Sequence, residues 1–93
     1  MSTPEVIDEP SRSRFEILVD GAPAGLVSYR LRPGTIVFLH TEIDDEYEGK
    51  GLGGVLVRAA LDSARSRGLR VVPSCPFVRA WIERHPDYAD LVR

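Results

Sequence analysis

Glu48-Gly49-Lys50-Gly51-Leu52-Gly53-Gly54 is the stretch on which the reading of this chain turns. Its four glycines stand between an apolar, strand-like run and an amphipathic, helix-like run. Glycine lets the backbone approach a ligand closely, and the first-turn N–H groups of the following helix point outward without helical partners. Such a junction suits a phosphate or pyrophosphate, through both the donors and the positive end of the helix dipole. Lys50 adds a mobile cation. The same glycines would also serve as a tight connection alone, so the surroundings decide. The P-loop pattern fails because Lys50 is followed by Gly51 rather than Ser or Thr. Gly49, Gly51 and Gly54 formally meet G-x-G-x-x-G, yet residues 69–77 hold no Asp or Glu to bind a ribose.

Upstream, Ile36-Val37-Phe38-Leu39-His40-Thr41-Glu42-Ile43 is apolar on both faces at first, the mark of a central strand buried on both sides. A period of two puts Ile36, Phe38, His40 and Glu42 on one face, with His40 and Glu42 close enough to meet one substrate. Phe15, Ile17 and Val19 alternate in an earlier strand, and Val27, Tyr29 and Leu31 in another. The turn chemistry of residues 20–25 makes these two a hairpin, and Pro33-Gly34 a second turn. Downstream, Leu52, Val55, Leu56, Ala59, Ala60 and Ala64 form a helical stripe ended by Gly68. Residues 69–72 read as a short fourth strand. Pro76 opens a second helix with Phe77, Val78, Trp81 and Ile82 on its apolar side, until His85-Pro86 breaks it.

Residues 1–14 hold two prolines, three serines and five charges, and are expected to be a loose, disordered tail preceding a domain over residues 15–93. The fold class expected is α+β, a mixed α/β layer: an antiparallel β-meander, a glycine-loop crossover helix, a parallel strand and a C-terminal helix.

Ninety-three residues allow a single domain. Twelve basic against fourteen acidic residues give a net charge of −2, so no global positive field recruits nucleic acid or an anionic membrane. Any anionic ligand must be held locally. The single cysteine, Cys75, excludes an intrachain disulfide, and no apolar run approaches the roughly 20 residues of a membrane span. A cytoplasmic location is the expectation.

The loop resembles the Q/R-x-x-G-x-G/A signature of GNAT-type N-acetyltransferases, with Glu48 standing where that superfamily usually has Gln or Arg. Residues 15–92 as a whole are similar to the very short, single-domain GNAT-like subgroup. The shared features are His40-Thr41-Glu42 at the strand end, the Gly-Lys-Gly loop, and a Cys before a short aromatic helix ending in His85-Pro86. The resemblance implies a GNAT-like fold and acetyl-CoA as co-substrate, bound by Ile43, Gly49, Lys50, Gly51, Leu52, Gly53, Gly54 and Cys75. It implies transfer to an amine of a small molecule or peptide, and no metal. Asp44, Asp45, Glu46 and Glu48 make the approach to the loop acidic.

Acetyl transfer from a thioester to an amine needs a neutral amine, a route for its proton, and protonation of the departing thiolate. Glu42 and His40 are the candidate proton acceptors; their alternatives are a solvated strand-end carboxylate and a hydrogen-bonded structural imidazole. Cys75, which the resemblance puts near the coenzyme sulfur, is open to three roles: covalent acceptor, acid, or wall of the pocket. Its plainest alternative is a small buried hydrophobe. Tyr88 is a possible proton donor with packing as its alternative. Phe77 and Trp81 read as core. A non-catalytic coenzyme A or acyl-CoA-binding module and a protein-interaction domain are the competing function classes.

Overall fold

The hydrophobic alternation of the first half and the helical stripe of the second assemble into two layers, a five-stranded sheet with two helices on one face. The computed structural model describes residues 3–92. The strands are β1 (Glu5–Glu9), β2 (Arg14–Val19), β3 (Ala22–Arg32), β4 (Thr35–Ile43) and β5 (Arg70–Pro73), in spatial order β1-β2-β3-β4-β5. The first four pair antiparallel, and β4 pairs with β5 in parallel. Helix α1 (Leu52–Ser66) makes the crossover between β4 and β5, and α2 (Pro76–Glu83) follows β5. A 3₁₀ turn, Pro86–Val92, closes the described chain. This is the mixed α+β meander, crossover helix and parallel strand expected.

Phe15, Ile17, Val27, Tyr29, Ile36, Phe38 and Val71 point from the sheet into the core. They meet Leu56, Val57, Ala60, Leu61 and Ala64 of α1 and Val78, Trp81 and Ile82 of α2 in one cluster. Burying each of the larger side chains contributes about 1.5–3 kcal/mol. The stripe on α1 is rotated from the expected one: Val55 is exposed and Ala59 half-buried, while Val57 and Leu61 are buried. Helix α1 ends as its sequence implies, with Gly68 at φ 69° and the Leu69 N–H bonded to the Ala64 carbonyl at 2.9 Å.

Two expectations are corrected. Residues 5–9 are not a loose tail but edge strand β1, paired with β2 from Glu5↔Leu18 to Glu9↔Arg14. An edge strand with one partner needs few apolar groups: Val6 packs on the core, and Asp8 accepts a hydrogen bond from the Tyr29 hydroxyl at 2.7 Å. The rest of the expected tail includes a 3₁₀ turn, Pro10–Arg12, and the start of β2. Residues 1, 2 and 93, parts of the expected tail and domain, lie outside the described residues. The turn expected over residues 20–25 shrinks to Asp20-Gly21, because β3 begins at Ala22 and absorbs fully buried Ala24 as an extra residue opposite β2.

A second irregularity positions the site. Ser28 pairs with His40 but Tyr29 with Phe38, so Leu39 is an extra residue in β4. A bulge shifts every later side chain to the other face. Ile36 and Phe38 therefore point into the core, whereas His40 and Glu42 lie with Ser28 and Leu26 on the opposite face, and Thr41 and Ile43 turn inward. The expected single face carrying Ile36, Phe38, His40 and Glu42 is broken at Leu39.

Candidate functional site

The parallel pairing of β4 and β5 stops at Phe38↔Pro73. Beyond it the chain leaves the sheet for α2, and the Cys75 N–H makes a last bond to the Phe38 carbonyl at 2.9 Å. Residues 39–43 of β4 thus have no strand on that side. The departure follows from Pro73 and Pro76, which lack the donors a continuing parallel strand requires.

At the end of β4 the 3₁₀ turn Asp45–Tyr47 leads to the glycine loop. Gly49 and Gly51 have φ of 80° and 75°, the left-handed region that favours glycine, and open space surrounds the point where a Cβ would stand on each. A bulky anion can reach the backbone there. The first helical bond of α1 runs from the Val55 N–H to the Gly51 carbonyl, so the N–H groups of Leu52, Gly53 and Gly54 have no partner within the helix. A cleft of about 320 Å³ lies against this turn, lined by Ile43, Tyr47, Glu48, Gly49, Gly51, Leu52, Gly53, Gly54 and Phe77. Six of the eight expected coenzyme-binding residues line it. Lys50 and Cys75 do not line it: Lys50 is exposed and forms no ion pair among the described residues, and Cys75 is buried.

Gly53 has a separate reason to be glycine: a Cβ there would stand 2.6 Å from the tip of the Phe77 ring. Phe77 is 40% exposed, not core as its spacing implied, and forms one wall of the cleft. Tyr47 forms another. Neither was legible as a site residue, because each belongs to the site only through the packing of the α2 and 3₁₀ segments on the loop.

A second groove, about 450 Å³, shares Gly51 and Gly54 with the first and continues between α1 and α2 past Val55, Arg58, Ala59, Asp62, Trp81 and His85. Its wall is braced. The Trp81 ring stacks on His85 at 3.7 Å, the Arg58 guanidinium lies 5.1 Å from the Trp81 ring centre, and Arg58 donates to the Tyr88 hydroxyl at 3.2 Å. Tyr88 in turn donates to Asp62 at 2.6 Å, which raises its pKa together with burial. The phenol proton is committed to Asp62, so Tyr88 serves as a clamp between α1 and the last turn. Arg58 is the cation that sequence reasoning missed; its position in the helix gave no signal that the groove would open beside it.

The proposed proton acceptors come together: His40 Nε2 and Glu42 Oε2 are 2.9 Å apart on the outer face, with about three-fifths of each side chain exposed. Cys75 is not with them. It is 3% exposed on the inner side, at the N-cap of α2, with Thr41 Oγ1 3.2 Å from its sulfur. Thr41 lies between His40 and Glu42 in sequence and points the other way. The three expected catalytic residues therefore flank the unpaired edge of β4 from opposite faces.

Among the described residues no group of three or more His, Cys, Asp or Glu side chains is placed to hold a metal ion, and no helix is long and apolar enough to cross a membrane.

Comparison with known proteins adds to this geometry. A family model described as GCN5-related N-acetyl-transferase matches residues 14–91. Protein NATD1 of Bos taurus is 34% identical over 77 residues, covering 81% of this chain and 68% of that protein. Protein NATD1 of Gallus gallus is 27% identical over 84 residues, covering 88% and 76%. The NMR solution structure of a GCN5-like protein from Staphylococcus aureus superposes with a TM-score of 0.73 at 28% identity, over 98% of this chain and 89% of that one.

Proposed function

The chain belongs to the GCN5-related N-acetyl-transferase family, and on that premise we propose that it is a small acetyl-CoA-dependent N-acetyltransferase that passes an acetyl group directly to an amine in a ternary complex. The observation that carries this reading is the unpaired edge of β4 over residues 39–43, with the glycine-loop cleft and Cys75 on one side and His40–Glu42 on the other.

The N–H groups of Leu52, Gly53 and Gly54 and the open backbone at Gly49 and Gly51 suit the pyrophosphate of the coenzyme, with Lys50 as a nearby cation. Backbone donors make the Gln or Arg of the family signature dispensable, which accommodates Glu48. The acidic approach of Asp44, Asp45, Glu46 and Glu48 weakens the grip without abolishing it. The acyl arm then lies along the free edge of β4 toward Thr41 and Cys75.

Glu42, with His40 bonded to it, takes one proton from the incoming ammonium and releases it to water. The neutral nitrogen attacks the thioester carbonyl carbon; a C–N bond forms, and collapse of the tetrahedral oxyanion breaks the C–S bond. The remaining excess proton on nitrogen passes to the departing sulfur, so amine and acetyl-CoA become acetamide and free thiol. Cys75 borders the thioester as a wall of the pocket.

Calorimetric titration with acetyl-CoA tests the loop, comparing the wild type with Gly51→Asp after circular dichroism has verified that both fold. The wild type is expected to bind and the variant to lose about tenfold or more in affinity, because a carboxylate replaces open space at the phosphate position. Equal affinities would overturn the assignment. Binding without turnover across a panel of amines would make the chain a coenzyme-binding module instead.

A further inference from the structure

We infer that two copies of this chain pair reversibly, face to face, through the outer side of the sheet. Both helices pack on the inner side, where Val78 of α2 meets Phe38 and Val57. Among the described residues no helix covers the outer side, which carries two charged ends and an apolar middle. At one end Arg32, Thr35 and Arg70 are direct neighbours in register, and Arg30, Val37 and Val72 form the next row. Tyr29, Ile36 and Val71 are buried in the core, so these alternate residues face outward. At the other end Leu26 and Glu42 share a row, followed by Asp44, Asp45 and Glu46 where the strand gives way to its 3₁₀ turn.

The two ends are complementary, and their charges are unmet within the chain. Arg30, Arg32, Arg70, Asp44, Asp45 and Glu46 are all exposed, and none forms an ion pair among the described residues. Arg14 and Glu16, the nearest charges on β2, neutralise each other at 2.6 Å. One copy cannot join its own ends, because Thr35 to Asp44 is about 30 Å of chain at roughly 3.3 Å per strand residue. A partner of one charge sign would satisfy only one end, whereas a second copy carries both at the same separation. A two-fold axis lying across β4 near Leu39 and His40 reverses the strand and sets the arginine end of each protomer on the acidic end of the other. The same operation lays the row of Arg30 and Val37 against the row of Leu26 and Glu42, bringing arginine to carboxylate and valine to leucine. An isolated exposed ion pair contributes little, but here two facing clusters flank an apolar centre in which Val72 is 44% exposed.

Area sets the strength of the pairing. Five strands at roughly 4.8 Å spacing and about 30 Å of length offer at most about 600 Å² a side. The pair would bury about 1,200 Å², the boundary between transient and stable complexes, so the dimer is reversible. His40 and Glu42 lie between the charged ends and are covered in it; the monomer is the form that exposes them.

Sedimentation velocity from about 10 µM to about 1 mM protein, in about 0.05 M and about 0.5 M NaCl, tests this. The wild type is compared with a basic-end variant, Arg30→Glu with Arg32→Glu and Arg70→Glu, and an acidic-end variant, Asp44→Lys with Asp45→Lys and Glu46→Lys. The two variants are also mixed in equal amounts, after circular dichroism has verified that each folds. The wild type is expected to pass from monomer to dimer with concentration, its Kd rising about tenfold or more at the higher salt. Each variant alone is expected to stay monomeric. The mixture is expected to dimerise, because each end of one variant then meets an end of opposite sign on the other. A wild type that is monomeric throughout, or whose Kd ignores salt, overturns the inference. So do variants that dimerise like the wild type, a mixture that stays monomeric, or growth beyond the dimer, which would mark a head-to-tail contact. No readout involves acetyl transfer, so failure here leaves the transferase reading standing, and failure of that reading leaves the dimer.

Discussion

The Thr41 hydroxyl and the Cys75 sulfur lie 3.2 Å apart, 34 residues distant in the chain, at the point where β5 has left the side of β4. This contact fixes Cys75 on the inner side of the gap while the neighbours of Thr41 in sequence face outward. In the proposed direct transfer to the amine no covalent acetyl-cysteine is formed. Cys75→Ala is expected to keep kcat within about tenfold of the wild type and to cost about 1 kcal/mol of stability through the lost packing of one sulfur. Intact-protein mass spectrometry during turnover is expected to show no acetylated Cys75; a loss of activity of a thousandfold or more with an acetylated intermediate would assign it the covalent role.

In the proposed mechanism the His40–Glu42 pair, 2.9 Å apart, acts as one proton acceptor, so its members are expected to be non-additive. Glu42→Gln should lower kcat by about a hundredfold, within the usual range for general-base removal, and leave acetyl-CoA affinity unchanged. His40→Gln should cost less, and the double variant little more than Glu42→Gln alone. Steady-state kinetics of the three proteins check this.

Gly53 and Phe77 oppose each other in a measurable way. Gly53→Ala gains about 1 kcal/mol of helix propensity, but its methyl group would meet the Phe77 ring at 2.6 Å. The ring is 40% exposed and can swing outward, so thermal stability should change little. The wall of the cleft would move, and acetyl-CoA affinity should fall. Gly53→Ala combined with Phe77→Ala should lack the clash and show no further loss beyond that of Phe77→Ala alone, a double-mutant cycle readable by calorimetry.

Stability should decline in alkaline solution for a stated reason. The Tyr29 phenol is pushed up to about 12, first by burial and then by its hydrogen bond to Asp8. Tyr88 is raised too, first by its bond to Asp62 and then by burial. The fold holds both phenols protonated, so their contribution is complete below about pH 10, the ordinary tyrosine value, and is lost as pH climbs toward and through the raised folded-state values. Urea melts should show a falling midpoint over that range, and Tyr29→Phe should remove part of the fall. The same variant is expected to loosen β1, costing about 1 kcal/mol through the lost hydrogen bond to Asp8, which keeps its ion pair with Arg67 at 3.7 Å.

Much of this fold can be read directly. The alternation of Phe15, Ile17 and Val19, the turn residues and the Gly68 stop are local devices, and local physics decides them. The glycine loop is equally legible, since clustered glycines before a helix are unusual and chemically directed. Edge strand β1 was hidden because residues 5–9 offer the core only Val6 and a carboxylate, too little to stand out against prolines and charges. Phe77, Tyr47 and Arg58 were hidden because a residue lines a cleft only when two elements distant in sequence are brought together.

By itself the sequence determined the layer architecture, the glycine turn before α1, and the pairing of His40 with Glu42, because two-residue spacing on a strand is a local geometric fact. Tertiary structure alone decided which face that pair occupies. One extra residue, Leu39, accommodated against β3, reversed the parity of β4 and set His40 and Glu42 across the sheet from Cys75. A bulge is a property of two strands in register, and no periodicity within one strand records it.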